Sequence, residues 1–284
     1  FSSRCCQHNH AQGWPYFSEH LILATPDNGI AAAIYAACKA TVKVGNGKEI
    51  VLHEETNYPF EEGIKFTVST DEKVDFPFYL RIPSWTEGAE VRVNGKKISV
   101  KPVSGKYLCI EREWADGDKV EMTLPMSLSM RTWQVNKNSV SVDYGPLTLS
   151  LKIAEKYVEK DSRETAIGDS KWQKGADPQK WPTTEIYPDS PWNYSLVLDK
   201  KEPLKNFKVI RKSWPADNYP FTVASVPLEV KAIGRPVPEW KIDETGLCGV
   251  LPEEDAVKGD KEEITLIPMG AARLRISAFP NTKE

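Results

Sequence analysis

The amino-acid sequence predicts a mostly β protein in which β-sandwich domains follow a short helical segment. Helical spacing of apolar residues is confined to the first 25 residues, whereas short alternating segments recur from residue 29 to residue 153. The pair Asn94-Gly95, between two such segments, is a strong signal for a tight β-hairpin. About ten strands at this spacing favour a β-sandwich.

The predicted helix lies near the start of the chain. We expect Asn9 to cap a helix that runs to about Thr25. Its apolar face would hold Trp14, Phe17, Leu21 and Ile22. The run from Thr25 to Gly29 contains Pro26, Asn28 and Gly29, residues that end helices, so strands are expected after Gly29.

The strands of the sandwich are recognised by alternation of apolar and polar residues. Such segments lie at Glu62–Ser69, Val74–Ile82, Glu90–Val93, Tyr107–Trp114, Lys119–Leu124, Ser139–Tyr144 and Leu147–Ile153. We interpret Asp116-Gly117-Asp118 as a second hairpin connection, between Tyr107–Trp114 and Lys119–Leu124. Trp85 and Trp114 are predicted to pack in the core. We therefore assign residues 29–153 to the β-sandwich.

The remaining residues, 154–284, are predicted to form an insertion plus a second β-rich domain. Residues 154–191 are rich in charge, Pro and Trp and have weak periodicity, which indicates an insertion with a short helix near Glu155–Lys160. Strand patterns then return at Trp192–Leu198, Phe207–Arg211, Phe221–Ile233, Glu263–Pro268 and Ala272–Phe279. Trp192 is expected to cover a sheet.

Composition and charge exclude some classes of protein. The 37 basic and 40 acidic residues give a net charge of −3, which provides no electrostatic reason to expect nucleic acid or an anionic membrane as a partner. No apolar run approaches the roughly 20 residues needed to span a bilayer. Of the five cysteines, Cys38, Cys109 and Cys248 are isolated in apolar or strand-like stretches, and we interpret them as core residues.

The other two cysteines, Cys5 and Cys6, are adjacent. Adjacent thiols are strained as a disulfide but offer two soft ligands to one metal ion. A tetrahedral zinc site needs four ligands, and the nearby His8 and His10 do not match a zinc-finger spacing. The chain begins with Phe1, so we expect the missing ligands upstream of it. On spacing alone, two buried core cysteines remain the more common alternative.

Longer stretches of the chain resemble a known enzyme family. They are, in order, Cys5-Cys6 with Asn9, Phe78-Tyr79-Leu80-Arg81-Ile82-Pro83-Ser84-Trp85, Val91-Arg92-Val93-Asn94-Gly95, Tyr107 with Arg112 and Trp114, Gly117-Asp118, Asp143-Tyr144-Gly145-Pro146-Leu147, Ile264-Thr265-Leu266-Ile267-Pro268, and Arg273-Leu274-Arg275. Their combination and order are similar to the cysteine-nucleophile β-L-arabinofuranosidases of glycoside hydrolase family 127 and its relative, family 146. The resemblance is weakest in residues 154–191.

The resemblance implies a catalytic (α/α)₆ barrel, of which residues 1–28 would be the helical end, followed by β-sandwich domains. In this family zinc is bound by one glutamate and three cysteines. Carried over, Cys5 would be the nucleophile and a zinc ligand, and Cys6 a zinc ligand. The acid/base glutamate and the other ligands would precede Phe1. Candidate substrate-binding residues within this chain are His8, Asn9 and Trp14.

The resemblance implies that the Cys5 thiolate acts as the nucleophile, where most retaining glycosidases use a carboxylate. Two departures from the family pattern bear on the substrate: Ser3 replaces a cysteine that many members have, and Gln7-His8 stand where Pro-Pro is common. The expected substrates are plant-type glycans, and the sandwich domains can mediate homodimers in the family. The fragment alone, lacking the acid and two zinc ligands, is predicted to be inactive.

Two other functions remain open from the sequence. The chain could be a non-catalytic β-sandwich accessory or carbohydrate-binding module with structural thiols, or a catalytically dead family member. The sequence does not distinguish a bacterial cytoplasmic location from a periplasmic one.

Overall fold

A computed structural model describes residues 9, 11–161, 177, 179–180, 182–253 and 259–283. These residues form two compact units, which divide between Ser127 and Leu128. We call them the N-terminal unit, up to Ser127, and the C-terminal unit, from Leu128 onward. Strands dominate both units, and the helix Gly13–Glu19 in the described part of the chain is short, so the predicted mostly β fold is confirmed. No helix in the described ranges is long and apolar enough to cross a membrane.

In the N-terminal unit, the elements with bounds among the described residues are a short helix and ten strands. The elements are α1 Gly13–Glu19, β1 Ile22–Ala24, β2 Ile30–Ala32, β3 Cys38–Val44, β4 Lys48–Thr56, β5 Gly63–Ser69, β6 Val74–Arg81, β7 Glu90–Val93, β8 Lys96–Lys97, β9 Tyr107–Trp114 and β10 Lys119–Thr123. One sheet has the order β1-β2-β6-β9, and the other has the order β3-β4-β5-β10-β7-β8. The pairing of β2 with β6 is parallel.

The core of this unit draws on both sheets, which makes it a β-sandwich. Phe66 from the six-stranded sheet meets Phe78 from the four-stranded sheet edge to face, with ring centroids 5.2 Å apart. Trp114 is fully buried, stacks on Phe76 at 5.6 Å, and donates a hydrogen bond from Nε1 to the Phe76 carbonyl oxygen at 2.9 Å. Trp85 packs against the same core while half-buried. Both tryptophan predictions are confirmed.

The predicted helix differs from the observed one in length. Helix α1 ends at Glu19, and Ile22–Ala24 instead forms β1, which pairs with β2 through Ile22 and Ala32. The helix begins after Gln12, not after Asn9, and Gln12 makes no side-chain cap. The turn that ends β1 needs Gly29, because a Cβ there would lie 2.2 Å from the Pro77 carbonyl oxygen.

The two predicted hairpin turns have different outcomes. Asn94 and Gly95 have φ values of 51° and 76°, as a type I′ hairpin requires, and they join β7 to β8. The segment Asp116–Asp118 is not a hairpin turn, because it carries the chain from β9 in one sheet to β10 in the other. The Gly117 N–H donates to Val68 O at 2.8 Å, which attaches this crossing to the end of β5.

The C-terminal unit is built around one large sheet. Its elements are β11 Leu128–Trp133, β12 Ser139–Tyr144, β13 Leu147–Leu151, β14 Glu155–Lys160, β15 Thr183–Pro188, β16 Tyr194–Leu198, β17 Lys208–Arg211, β18 Leu228–Pro236, β19 Glu262–Pro268, a 3₁₀ turn Met269–Ala271, and β20 Asn281–Lys283. Strands β11-β12-β13-β19-β18-β16-β20 follow one another in the sheet, and β17 also pairs with β18. Trp192 packs on Trp240 at 5.2 Å beside this unit's core.

Three regions of this unit differ from the sequence interpretation. The sequence pattern assigns residues 29–153 to the sandwich, but strands β11–β13 belong to the large sheet, because Leu149 pairs with Pro268 of β19. Residues Glu155–Lys160 form a strand and not a helix, since they pair along their whole length with Thr183–Pro188. The described residues 272–279 form no strand: Phe279 makes an isolated bridge to Val140, Ile276 O accepts a hydrogen bond from Leu151 N at 2.8 Å, and the strand begins at Asn281.

Candidate functional site

The residues predicted to carry the chemistry fall mostly outside the described part of the chain. Cys5, Cys6 and His8 lie there, so the structure does not test the proposed nucleophile and zinc ligands. The proposed barrel end, residues 1–28, is likewise untested as a piece of a barrel.

The two described candidates, Asn9 and Trp14, lie on an exposed segment. The Asn9 carbonyl oxygen accepts a hydrogen bond from Gln12 N at 3.1 Å. Trp14 is 69% exposed and contacts Phe17 edge to face at 6.2 Å. Helix α1 buries none of its residues. A role for either residue in binding sugar therefore stays a prediction.

The described residues offer no alternative metal centre. Nowhere among them do three or more His, Cys, Asp or Glu side chains cluster in a way that could hold a metal ion. His20 donates from Nδ1 to the Tyr16 carbonyl oxygen at 2.6 Å, and His53 lies half-buried in β4.

The three isolated cysteines do not share one environment. Cys38 and Cys109 are half-buried in strands, whereas Cys248 is exposed, so its interpretation as a core residue is wrong. Cys248 pairs with Ile242 across a turn at the surface. Burial raises the pKa of the Cys38 thiol to about 11, with a further contribution from Glu54. A thiol with so high a pKa is unreactive at neutral pH.

Glu54, on β4 of the N-terminal unit, is a buried carboxyl group with a strongly raised pKa. Its side chain is 3% exposed, and burial raises its pKa to about 8. Its Oε1 accepts a hydrogen bond from Ala36 N at 3.1 Å, and the Cys38 thiol lies 3.7 Å from Oε2. At neutral pH the carboxyl group is therefore mostly protonated.

A network of part-buried polar contacts surrounds Tyr35, which precedes the Ala36 amide that donates to Glu54. The Tyr35 hydroxyl donates to Arg81 O at 2.5 Å, and Arg81 Nε donates to Ala33 O at 2.5 Å. Burial raises the pKa of Tyr35 well above its usual range. A perturbed pKa indicates catalysis when the group lines a cleft. Glu54 and Tyr35 are both buried in the sandwich, so we assign them a structural role in fixing the segment before β3.

Sequence reasoning missed Glu54, although a signal was present. In β4 the buried positions alternate through Ile50 and Leu52, and Glu54 is the next position in phase. A strict reading of the period-two alternation would have placed this carboxylate in the core.

Comparison with known proteins adds to this geometry. Residues 29–126 match the family described as "Beta-L-arabinofuranosidase, GH127 middle domain". No relative was found among curated proteins.

Solved structures with a similar fold include a GH127 β-L-arabinofuranosidase from Geobacillus stearothermophilus T6, at 21% identity and a TM-score of 0.64. A protein described as a glycoside hydrolase has 20% identity, and a GH127 β-arabinofuranosidase has 21%, both with a TM-score of 0.64. Each alignment covers 99% of this chain and between 38% and 40% of the other.

The chain thus has the fold of the β-rich portion of these glycoside hydrolases and spans about two fifths of their length. Residues 29–126 match the GH127 middle-domain family, and the family resemblance drawn from the sequence is confirmed. This domain coincides with the sandwich of the N-terminal unit, from Gly29 to Met126.

Proposed function

We propose that this chain is the C-terminal part of a retaining glycoside hydrolase of the β-L-arabinofuranosidase type that acts on plant-type, arabinose-containing glycans. The observation that carries the proposal is the GH127 middle domain at residues 29–126. The similarity in fold supports it, because it extends beyond that domain to 99% of the chain.

In this proposal the cysteine pair belongs to the catalytic centre. The thiolate of Cys5 attacks the anomeric carbon while a glutamate from elsewhere in the full-length protein protonates the leaving oxygen. Water then hydrolyses the thioglycosyl bond, and two displacements at the same carbon give net retention. Cys5 and Cys6 would also hold zinc, whose contribution is to keep a coordinating thiol ionised near neutral pH.

The two described units would support the catalytic centre. Their described residues contain no cluster suited to a metal ion, and the perturbed groups Glu54 and Tyr35 are buried in the sandwich. We therefore assign the N-terminal unit to stabilising the preceding catalytic domain. Homodimerisation through the β units is part of the same proposal.

The proposal is tested on the full-length protein that contains this chain. We expect the protein to hydrolyse an aryl β-L-arabinofuranoside with retention of configuration. NMR of the first-formed product measures its anomeric configuration. Cys5→Ala should lower kcat at least about a thousandfold, as loss of a covalent nucleophile does. Cys248→Ala is the matched control, since it removes an exposed thiol.

Zinc content is measured on the same variants. Cys6→Ala should reduce bound zinc from one equivalent to a fraction of it, while Cys248→Ala leaves zinc unchanged. A metal-free protein that keeps its activity after Cys5→Ala would contradict the proposal. So would hydrolysis by residues 1–284 alone, because that fragment lacks the acid and two ligands.

A further inference from the structure

A cavity of about 560 Å³ in the C-terminal unit has the form of a ligand site. This volume falls in the range of about 300–1,000 Å³ that is usual for small-molecule sites. Its apolar surface includes Val140 and Leu198, which are almost fully buried, and Met130 on the edge strand β11. We call this cavity the polar groove, after the side chains that line the rest of it.

Hydrogen bonds within the protein hold the walls of the polar groove. Lys137 Nζ donates to Leu251 O at 2.8 Å and pairs with Glu253 at 2.6 Å, which joins the β11–β12 turn to the segment before residue 254. Asn281 Nδ2 donates to Asn138 O at 2.9 Å. These contacts connect three separate parts of the chain, so the site is largely formed before a ligand binds.

A fourth part of the chain that lines the groove is the turn after β16. Asp199 Oδ1 accepts hydrogen bonds from Lys201 N at 2.9 Å and Glu202 N at 2.8 Å, which fixes the neighbouring Lys200 at the groove. A carboxylate oxygen has capacity for further donors beyond these. The turn therefore presents both an acceptor and a donor to the groove.

The mixture of charges in the groove restricts its ligand. Lys137, Lys200 and Lys283 line it together with Asp199 and Glu253. The carboxylates would repel a polyanion, and the ammonium groups would repel a polycation. A polyhydroxylated neutral molecule suits this lining, because each hydroxyl both donates and accepts. Met130 and Pro203, which line the groove and are only partly buried, would contact the C–H face of a sugar ring.

We propose that the polar groove is a binding site for a neutral oligosaccharide. The choice of a saccharide over other polyhydroxylated ligands rests on the proposed glycosidase function. Binding at this site would retain a glycan chain on the enzyme while its end is hydrolysed elsewhere.

The test is calorimetric titration of the 284-residue chain with a neutral arabino-oligosaccharide, and separately with an oligogalacturonide. We expect saturable binding of the neutral ligand. Lys200→Ala should weaken this binding about tenfold, because losing one hydrogen bond to a charged group lowers the affinity by about that factor. Thr132→Trp, which places a large ring in the groove from an exposed position on β11, should abolish binding. Thermal melting of each variant verifies that it folds.

Lys201→Ala is the matched control, because this exposed lysine neighbours Lys200 and does not line the groove. It should leave the affinity unchanged. Absence of neutral-ligand binding at millimolar concentration would overturn the proposal, as would binding of the oligogalacturonide alone. An equal loss with Lys201→Ala would also overturn it. Hydrolysis by the full-length protein is scored separately, so failure of the glycosidase proposal is distinguishable from failure of this site.

Discussion

Both units bury carboxylates, and a buried glutamate in one unit has the opposite ionisation to a buried glutamate in the other. Glu54 in the N-terminal unit is 3% exposed, and Glu229 in the C-terminal unit is 8% exposed. The hydrogen-bond partners of Glu54 are the neutral Ala36 amide and Cys38 thiol. Glu229 Oε1 instead accepts from Lys152 and Lys212, each at 2.6 Å.

The pKa values follow the partners. Burial raises the pKa of Glu54 to about 8. Burial also acts to raise the pKa of Glu229, but the hydrogen bonds and charges of the two lysines outweigh it and lower that pKa below its usual value. The difference shows that low exposure alone does not decide whether a carboxyl group is charged. The charge of its nearest donors decides it.

The largest expected effect is the pH dependence that Glu54 gives to stability. Between the unfolded pKa of 4.5 and the folded value of about 8, the native state keeps a proton that the unfolded state has lost. This contribution is therefore complete below pH 4.5 and is lost as pH rises to 8. Compared with Glu54→Gln, the wild type should lose on the order of 3 kcal/mol of unfolding free energy between pH 5 and 8.5.

Urea unfolding at the two pH values measures this loss. Glu55→Gln is the control, because Glu55 is the exposed neighbour of Glu54 and pairs with Lys65 at 2.8 Å. It should keep the wild-type pH dependence. If Glu54→Gln and wild type have parallel pH profiles, Glu54 is ionised in the native state and the contrast with Glu229 is wrong.

The second effect is the loss of the charge between two lysines. Glu229→Gln leaves Lys152 and Lys212 without their carboxylate, and both lysines are about one-third exposed (34% and 35%). Because water partly solvates the two ammonium groups, the loss of unfolding free energy is smaller than for a fully buried pair, roughly 2 kcal/mol at pH 7. Urea unfolding is again the measurement. The control is Glu263→Gln, whose carboxylate is 61% exposed beside Lys231 and should contribute less than about 1 kcal/mol.

The same variant gives a prediction of opposite sign to that for Glu54. Because the folded pKa of Glu229 is lowered, its stabilisation is present above the unfolded pKa of 4.5 and is lost as pH falls through the folded value. The difference in unfolding free energy between wild type and Glu229→Gln should therefore shrink below pH 4.5. A difference that stays constant down to pH 3 would show that charge is not its cause.

The smallest effect concerns Asp118, a carboxylate that has both neutral hydrogen-bond donors and a charged neighbour. Burial acts to raise its pKa, but hydrogen bonds from Ala115 N and Asn94 Nδ2, together with the charge of Arg112, lower it. Asn94→Ala removes the 2.7 Å bond to Asp118 and the 2.8 Å bond that Asn94 Oδ1 accepts from Lys119 N. It should cost about 1–2 kcal/mol and raise the pKa of Asp118. NMR titration measures the pKa of Asp118, and thermal melting measures the loss of stability. An unchanged pKa would show that the hydrogen bond from Asn94 does not lower it.

The fold was predictable where the information is local. Alternation located most strands, Asn94-Gly95 defined a turn, and the core position of Trp114 followed from its size. Long-range pairing was not predictable from local pattern. Strand β13 reads equally well in either unit, and its partner β19 lies more than 100 residues later. Asp116–Asp118 has turn chemistry in both interpretations, and only the sheet membership of β9 and β10 separates them.

The site was predictable only through the family resemblance. Adjacent cysteines are compatible with a buried core pair, and Cys5 and Cys6 lie outside the described residues, so their roles remain predictions. The polar groove was not visible in the sequence. Its lining comes from β11, β12, β16, β20 and residues near 252, and nothing in one segment indicates the others.

Among the described strands, β3 forms one end of the six-stranded sheet and pairs on one side only, with β4. Lys39, Thr41 and Lys43 are exposed along this strand. A second molecule adding its own β3 there would bring ammonium groups together and strip them of water, which disfavours edge-to-edge polymerisation. The exposed lysines on this edge strand therefore oppose the formation of fibres at high protein concentration.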